Sequence, residues 1–235
     1  MFMHKNPGKI INDRLGLRAE YITHLDDHSI ILVVGRDNSP AGHRSLIVSK
    51  PHVMQLSEQW KTTMKAQSYC RGHFHTGESV PVVALPEDDP DMIRLLMIIA
   101  HSRFEIVPQT LELHELVRLA RSVERYGIGS LVVPFIDGWL APHRERYMEA
   151  GYEQWLYVAY QFGLEDDYLT LADHFVRNCR INQQYCLLAP TTGFVMTGQY
   201  PENAISKCRD RLIVVDFPTC FAILRELTWR EVFAC

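Results

Sequence analysis

Residues 92–100, MIRLLMIIA, are apolar at every position except Arg94. A helix so patterned has no wet face, so it must sit at the centre of a fold or be covered by another chain. The strictly apolar part, residues 95–100, is far too short to span a bilayer. Directly before it stands the acidic run PEDDPD, residues 86–91. Asp89 suits an N-cap, because its carboxylate can accept an otherwise unpaired backbone N–H. Pro90 suits the first helical position, where no N–H is required. Asp91 adds negative charge at the positive end of the helix dipole. Capping therefore accounts for the type and place of these acids. A metal or acid–base role for Glu87, Asp88, Asp89 and Asp91 finds no nucleophile or electrophile nearby in sequence.

Upstream, SIILVVG (Ser29–Gly35) is a β-branched apolar run ended by glycine, the pattern of a buried strand. RDNSPAG supplies turn formers, and SLIVS (residues 45–49) makes a partner strand. One helix is expected next, capped at Ser49 or Lys50, with Pro51 in its first turn. Val53, Leu56, Trp60 and Met64 form its apolar stripe. SYCRGHFHTGES reads as a glycine-bounded loop, and VPVVAL (residues 80–85) as a third strand. Downstream of the apolar helix, Leu113, Leu116, Val117, Ala120 and Val123 share one helical face. Glu115, Arg118, Arg121 and Arg125 share the wet one, and Gly127 stops the helix. SLVVPFIDGWL is a further short helix. Beyond Pro142 two helices form a hairpin around Gly163, with Trp155, Leu156, Ala159, Tyr168, Leu171, Ala172 and Phe175 inward. PENAISKCRDRL and LIVVDF near the end suggest a helix and a strand. The expected division is a variable, poorly fixed leader (1–22), an α+β domain (23–141) and a helical extension (142–235).

A net charge of −4, with scattered Lys and Arg, argues against nucleic acid or an anionic membrane as partner. No signal-peptide pattern opens the chain. The six cysteines form no CxxC pair, which in a chain of 235 residues reads as reduced thiols. The expectation is an intracellular protein of the cytoplasm or nucleus.

Four blocks, read together, resemble the BTB/POZ domain, in particular its divergent fungal form. DDHSIILVVG is similar to that family's first strand with its preceding acids. SLIVSKPHVMQLSEQWKTTM is similar to its second strand and following helix. VALPEDDPDMIRLLMIIAHSRF and ELVRLARSVERYGIGSLVVPFIDGWL resemble two later blocks, and the four lie within residues 26–140. WLYVAYQFGLEDDYLTLADHFVRN is similar to the helical extension common in fungal members. Departures are Ser49 in place of a usual His, and Ser57-Glu58-Gln59-Trp60 where a Ser-Pro-x-Phe motif is usual. Residues 66–79 also lack the hydrophobic-x-Glu triplet frequent in cullin-binding members, which weighs against a ubiquitin-ligase adaptor. The resemblance implies a small sheet flanked by helical hairpins, working by homo-association or by holding a protein partner. No catalytic, cofactor-binding or metal-binding residue follows from it.

Two other patterns compete with this expectation. In CRGHFHTGE, Cys70, His73 and His75 are competent zinc ligands, and the two histidines would share a face if extended. A structural zinc site needs a fourth ligand at short spacing, and no second Cys/His pair follows. A metal-dependent enzyme built on these three residues is the alternative of a different class. GRDNSPAGHR misses the phosphate-loop spacing, and YGIGS lacks the strand that a dinucleotide fingerprint requires. The aromatic residues Trp155, Tyr157, Tyr160, Phe162 and Tyr168 fall mostly at core spacing.

Overall fold

The computed structural model describes residues 10–12, 17–36, 42–66, 70–73, 79–178, 180–181 and 187–188. The chain is a mixed α+β protein whose Cα trace divides into two compact units, Met1–Ala141 and Pro142–Cys235.

The first unit is built on strands β1 (Ile10–Asn12), β2 (Leu17–Tyr21), β3 (Ser29–Gly35) and β4 (His43–Ser49). Helices α1 (Lys50–Leu56) and α2 (Glu58–Ala66) follow, then strands β5 (Cys70–His73) and β6 (Ser79–Leu85). Helices α3 (Pro90–Ala100), α4 (Leu113–Tyr126) and α5 (Gly129–Leu140) complete it. The strands form one sheet in the order β1-β2-β4-β3-β6-β5. β3 runs antiparallel to β4 and parallel to β6, and the chain crosses from β4 to β6 through α1, α2 and the edge strand β5.

Alternation along β3 gives each face of the sheet its own cluster. Ile30, Leu32 and Val34 pair across to Val48, Leu46 and Arg44, and all six except Arg44 are buried. α3 lies against β3 and β4. On the other face Ile31, Ile47 and Val80 form a second cluster that Tyr21, Leu25 and Val33 extend. Gly35, at φ 84°, ends β3 where a side chain has no room: a Cβ there would meet Pro90 Cγ at 2.7 Å. That close approach sets the start of α3 against the sheet.

Three expectations are corrected. Residues 17–21, read as part of a poorly fixed leader, are a strand: β2 pairs parallel with β4, Ala19 opposite Ser45. Ile22 and Thr23 then donate to the Ile47 carbonyl at 3.0 and 3.3 Å. Short mixed segments carry little period, so pairing with an existing sheet decides their structure. The single helix expected after Ser49 is two. Ser57 is extended (φ −166°), and its hydroxyl accepts from the Trp60 N–H at 3.1 Å, capping α2 and interrupting the stripe. Val53, Trp60 and Met64 are nonetheless fully buried. The expected loop around Cys70 contains β5, paired with β6 from Cys70 opposite Val82 to His73 opposite Ser79. The free edge of β6 recruits a segment with no strand-forming composition of its own.

In the second unit, α6 (Trp155–Gln161) and α7 (Glu165–Asn178) form a hairpin about Gly163, which is left-handed at φ 69°. The seven residues expected inward are all buried. The Trp155 indole N–H donates to Asp167 Oδ2 at 2.9 Å, satisfying the one polar atom its burial would orphan. Two-residue strands β7 (Arg180–Ile181) and β8 (Leu187–Leu188) pair antiparallel. The helix and strand expected near the end lie outside the described residues. Among the described residues no helix is long and apolar enough to cross a membrane.

Candidate functional site

Among the described residues, the acids before α3 form a dense carboxylate cluster, and each has a donor partner. Asp89 Oδ1 accepts from the backbone N–H groups of Asp91 and Met92, each at 3.0 Å, which is an N-cap. Its Oδ2 accepts from Arg118 Nη1 at 3.0 Å. Asp91 Oδ1 accepts from Arg44 Nε at 3.0 Å and Nη2 at 2.7 Å, and its Oδ2 lies 3.7 Å from Arg118 Nη1. Glu87 forms an exposed ion pair with Arg36. Four elements thus meet at the start of α3: the ends of β3 and β4, the loop after β6, and α4.

Asp88 is the buried member. Tyr126 Oη donates to its Oδ2 at 2.7 Å, and Arg125 Nη1 lies 3.2 Å from Oδ1. Burial pushes the Asp88 carboxyl above the usual range; the Tyr126 hydrogen bond and the Arg125 charge oppose that shift, while Asp89 adds to it. Burial and the adjacent carboxylate raise the Tyr126 phenol, so it stays a proton donor. Its ring stacks on Trp60, with centroids 4.1 Å apart. The pair is locked in place, as a structural contact requires.

Beside this cluster is a cleft of about 560 Å³ between α2, the loop after β6 and the end of α4. Its lining includes Gln59, Thr62, Thr63, Glu87, Arg125 and Tyr126. Asp88 reaches it with a carboxylate already held by phenol and guanidinium. The arrangement can fasten helices together. Among the described residues, the acids that line the cleft, Glu58, Glu87 and Asp88, each face a basic partner: Lys61, Arg36 and Arg125.

The three proposed zinc ligands are not brought together by any described geometry. Cys70 and His73 occupy the two ends of β5, and His75 lies outside the described residues. Among the described residues, no group of three or more His, Cys, Asp or Glu side chains is placed to hold a metal ion.

The partners of these acids escape the reading of helical periodicity. That period puts Arg118 and Arg125 on the wet face of α4, yet both reach the acids before α3. Their spacing of seven residues puts them two turns apart on one side of a helix, and that side faces a run of four acids. The match of charge pattern is the signal that could have found them. Arg94, the one polar residue of α3 beyond its first turn, makes a bidentate fork on Glu20 of β2, with Nη2 2.7 Å from Oε1 and Nε 2.7 Å from Oε2. The pair holds β2 against the helix.

The first unit also exposes large apolar side chains: Phe104 (54%), Ile106 (40%) and Val133 (63%). Phe104 lies against Phe135, and Phe135 against Trp139, with ring centroids 5.7 and 5.6 Å apart. The Trp139 indole N–H donates to the Pro108 carbonyl at 2.7 Å. Compared with known proteins, the sequence matches no family model and no curated protein.

Proposed function

We propose that this protein is a BTB/POZ-like association module without catalysis, acting through contact with a second copy or with another protein. The observation that carries this reading is the commitment of the acids before α3 to capping and to arginine pairs. Among the described residues, these acids are spent on assembling a fold. Further support comes from the element order after β2: two antiparallel strands, a helix pair, the short edge strand β5, a strand parallel to the first, then three helices. That order agrees with the resemblance carried by residues 26–140. The apolar helix α3 is consumed by the interior, so association uses other surface. Phe104, Ile106 and Val133 are side chains of the kind that interfaces bury.

Self-association is the form open to direct test. Light scattering across a micromolar concentration range should give a mass about twice the 27.2 kDa of the chain. A mass of one chain at every concentration would contradict it. The missing hydrophobic-x-Glu triplet in residues 66–79 points away from cullin as the partner.

A further inference from the structure

We infer that His101 is a pH-sensitive latch, which ties the start of α1 to the end of α3 while neutral and releases it on protonation. Its two ring nitrogens face partners of opposite kind. The Ser49 backbone N–H donates to His101 Nε2 at 3.0 Å, so Nε2 must carry a lone pair. Nδ1 lies 2.8 Å from the Met97 carbonyl, an acceptor only, so Nδ1 carries the proton. The ring is therefore held as one neutral tautomer between a donor and an acceptor. A second proton would sit on Nε2, facing the Ser49 N–H, and two donors cannot share that contact.

The latch joins the entry of one helix to the exit of another. Ser49 is the last residue of β4 and the N-cap of α1, and His101 is the C-cap of α3. Ser49 carries no capping bond to α1 from its own side chain; its hydroxyl lies 3.0 Å from His52 Nδ1 instead. The entry of α1 is held from outside the helix, by the His101 contact at Ser49 and by the His28 carbonyl at Lys50. Lys50, Pro51, Met54 and Gln55 of that helix wall a cavity of about 670 Å³, which loosening of the turn would widen.

The charged and titratable neighbours are few. His52 on α1 lies with its ring 5.3 Å from that of His101, and a charge there disfavours a second one. Lys50 adjoins Ser49 in the chain, its backbone N–H donating to the His28 carbonyl at 2.9 Å. Arg103, two residues on, is paired with Glu105. Burial holds the His101 imidazole below its ordinary value; the Met97 carbonyl opposes this, and His52 adds to it. The negative end of the α3 dipole also favours a charged ring. It does so without supplying an acceptor at Nε2, so it does not rescue the contact.

The lowered value fixes the direction of the pH dependence. Above an imidazole's ordinary pKa of about 6.5 the latch contributes in full. As pH falls from there through the lower folded value, the unfolded chain binds the proton more readily and the contribution is lost.

Nitrogen NMR of the histidine rings in the full chain reads the tautomer directly. His101 should remain a neutral Nδ1–H ring at about pH 6, where a free imidazole is mostly charged. Hydrogen exchange, corrected for intrinsic rates, should show Ser49 amide protection falling about tenfold between roughly pH 7.5 and 5.5. His101→Gln, whose amide oxygen can accept from Ser49 at any pH, should abolish that fall. A His101 ring already charged above about pH 6.5, or constant Ser49 protection across the range, would overturn the inference. The NMR reading needs no variant, so a misfolded His101→Gln leaves it decisive.

Discussion

Asp88 combines features that a structural carboxylate and a chemical one share. It is only 8% exposed, its carboxyl is raised, and it lies beside a cleft, which together would nominate an acid–base residue. Its partners support the structural role proposed above. Tyr126 and Arg125 are both donors fixed by α4, and the Tyr126 ring is clamped on Trp60. Tyr126→Phe keeps the ring and removes the donor. Such loss at a buried acceptor costs about 1–3 kcal/mol. The hydrogen bond lowers the Asp88 carboxyl, so its removal raises that group further above the usual range. A raised folded value means the fold binds the proton more tightly than the unfolded chain does. The Tyr126→Phe deficit should therefore be largest near neutrality and shrink as Asp88 protonates on the acid side. Urea unfolding of both chains at a series of pH values measures it. A deficit that grows toward acid would contradict the assignment.

At the level of elements, α3 is the centre. Eight of its eleven residues are buried, including Met97 and Leu96 at 0% exposure. Past its first turn the one polar side chain, Arg94, is a third exposed and paired with an equally exposed Glu20. Packing should outweigh the ion pair. Leu96→Ala should cost about 2–5 kcal/mol, from lost burial and the cavity left behind. Arg94→Ala should cost about 1 kcal/mol or less, since solvent screens a pair so exposed. Equal losses from the two variants in urea unfolding would mean that α3 is not the core helix. This element is legible in the sequence alone, because Asp-Pro at a helix start and a nearly continuous apolar run each have one physical meaning. The α1–α2 break is not. Ser57 sits in a stripe that runs through it unbroken, and only the choice of its hydroxyl to cap rather than face solvent splits the helix. β2 and β5 are illegible for another reason: neither has a period of its own, and each exists because a neighbouring strand offers an unpaired edge.

For the whole molecule, the α+β class and the helical hairpin of the second unit are written in the periodicity. The use made of the acids is written only in part. Asp89 as a cap follows from Asp-Pro, whereas the arginines that close over Asp88, Asp89 and Asp91 come from β4 and α4, far off in sequence: 29 positions separate Arg118 from Asp89, and 47 separate Arg44 from Asp91. Long-range pairing of this kind leaves no local pattern. It makes the acidic run a fastening between sheet and helices, and every functional conclusion rests on that assignment. The most direct test compares Asp89→Asn with Asp89→Ala in urea unfolding, beside thermal melts of the unaltered chain with and without millimolar divalent cation. Asn keeps the cap and loses the charge pair, while Ala loses both and should be the less stable by about 1 kcal/mol. That order is expected, together with a melting temperature that magnesium, manganese and zinc leave unmoved. An Asp89→Ala chain as stable as the unaltered protein, with a melting temperature that rises on adding cation, would show the acids to be a metal site instead.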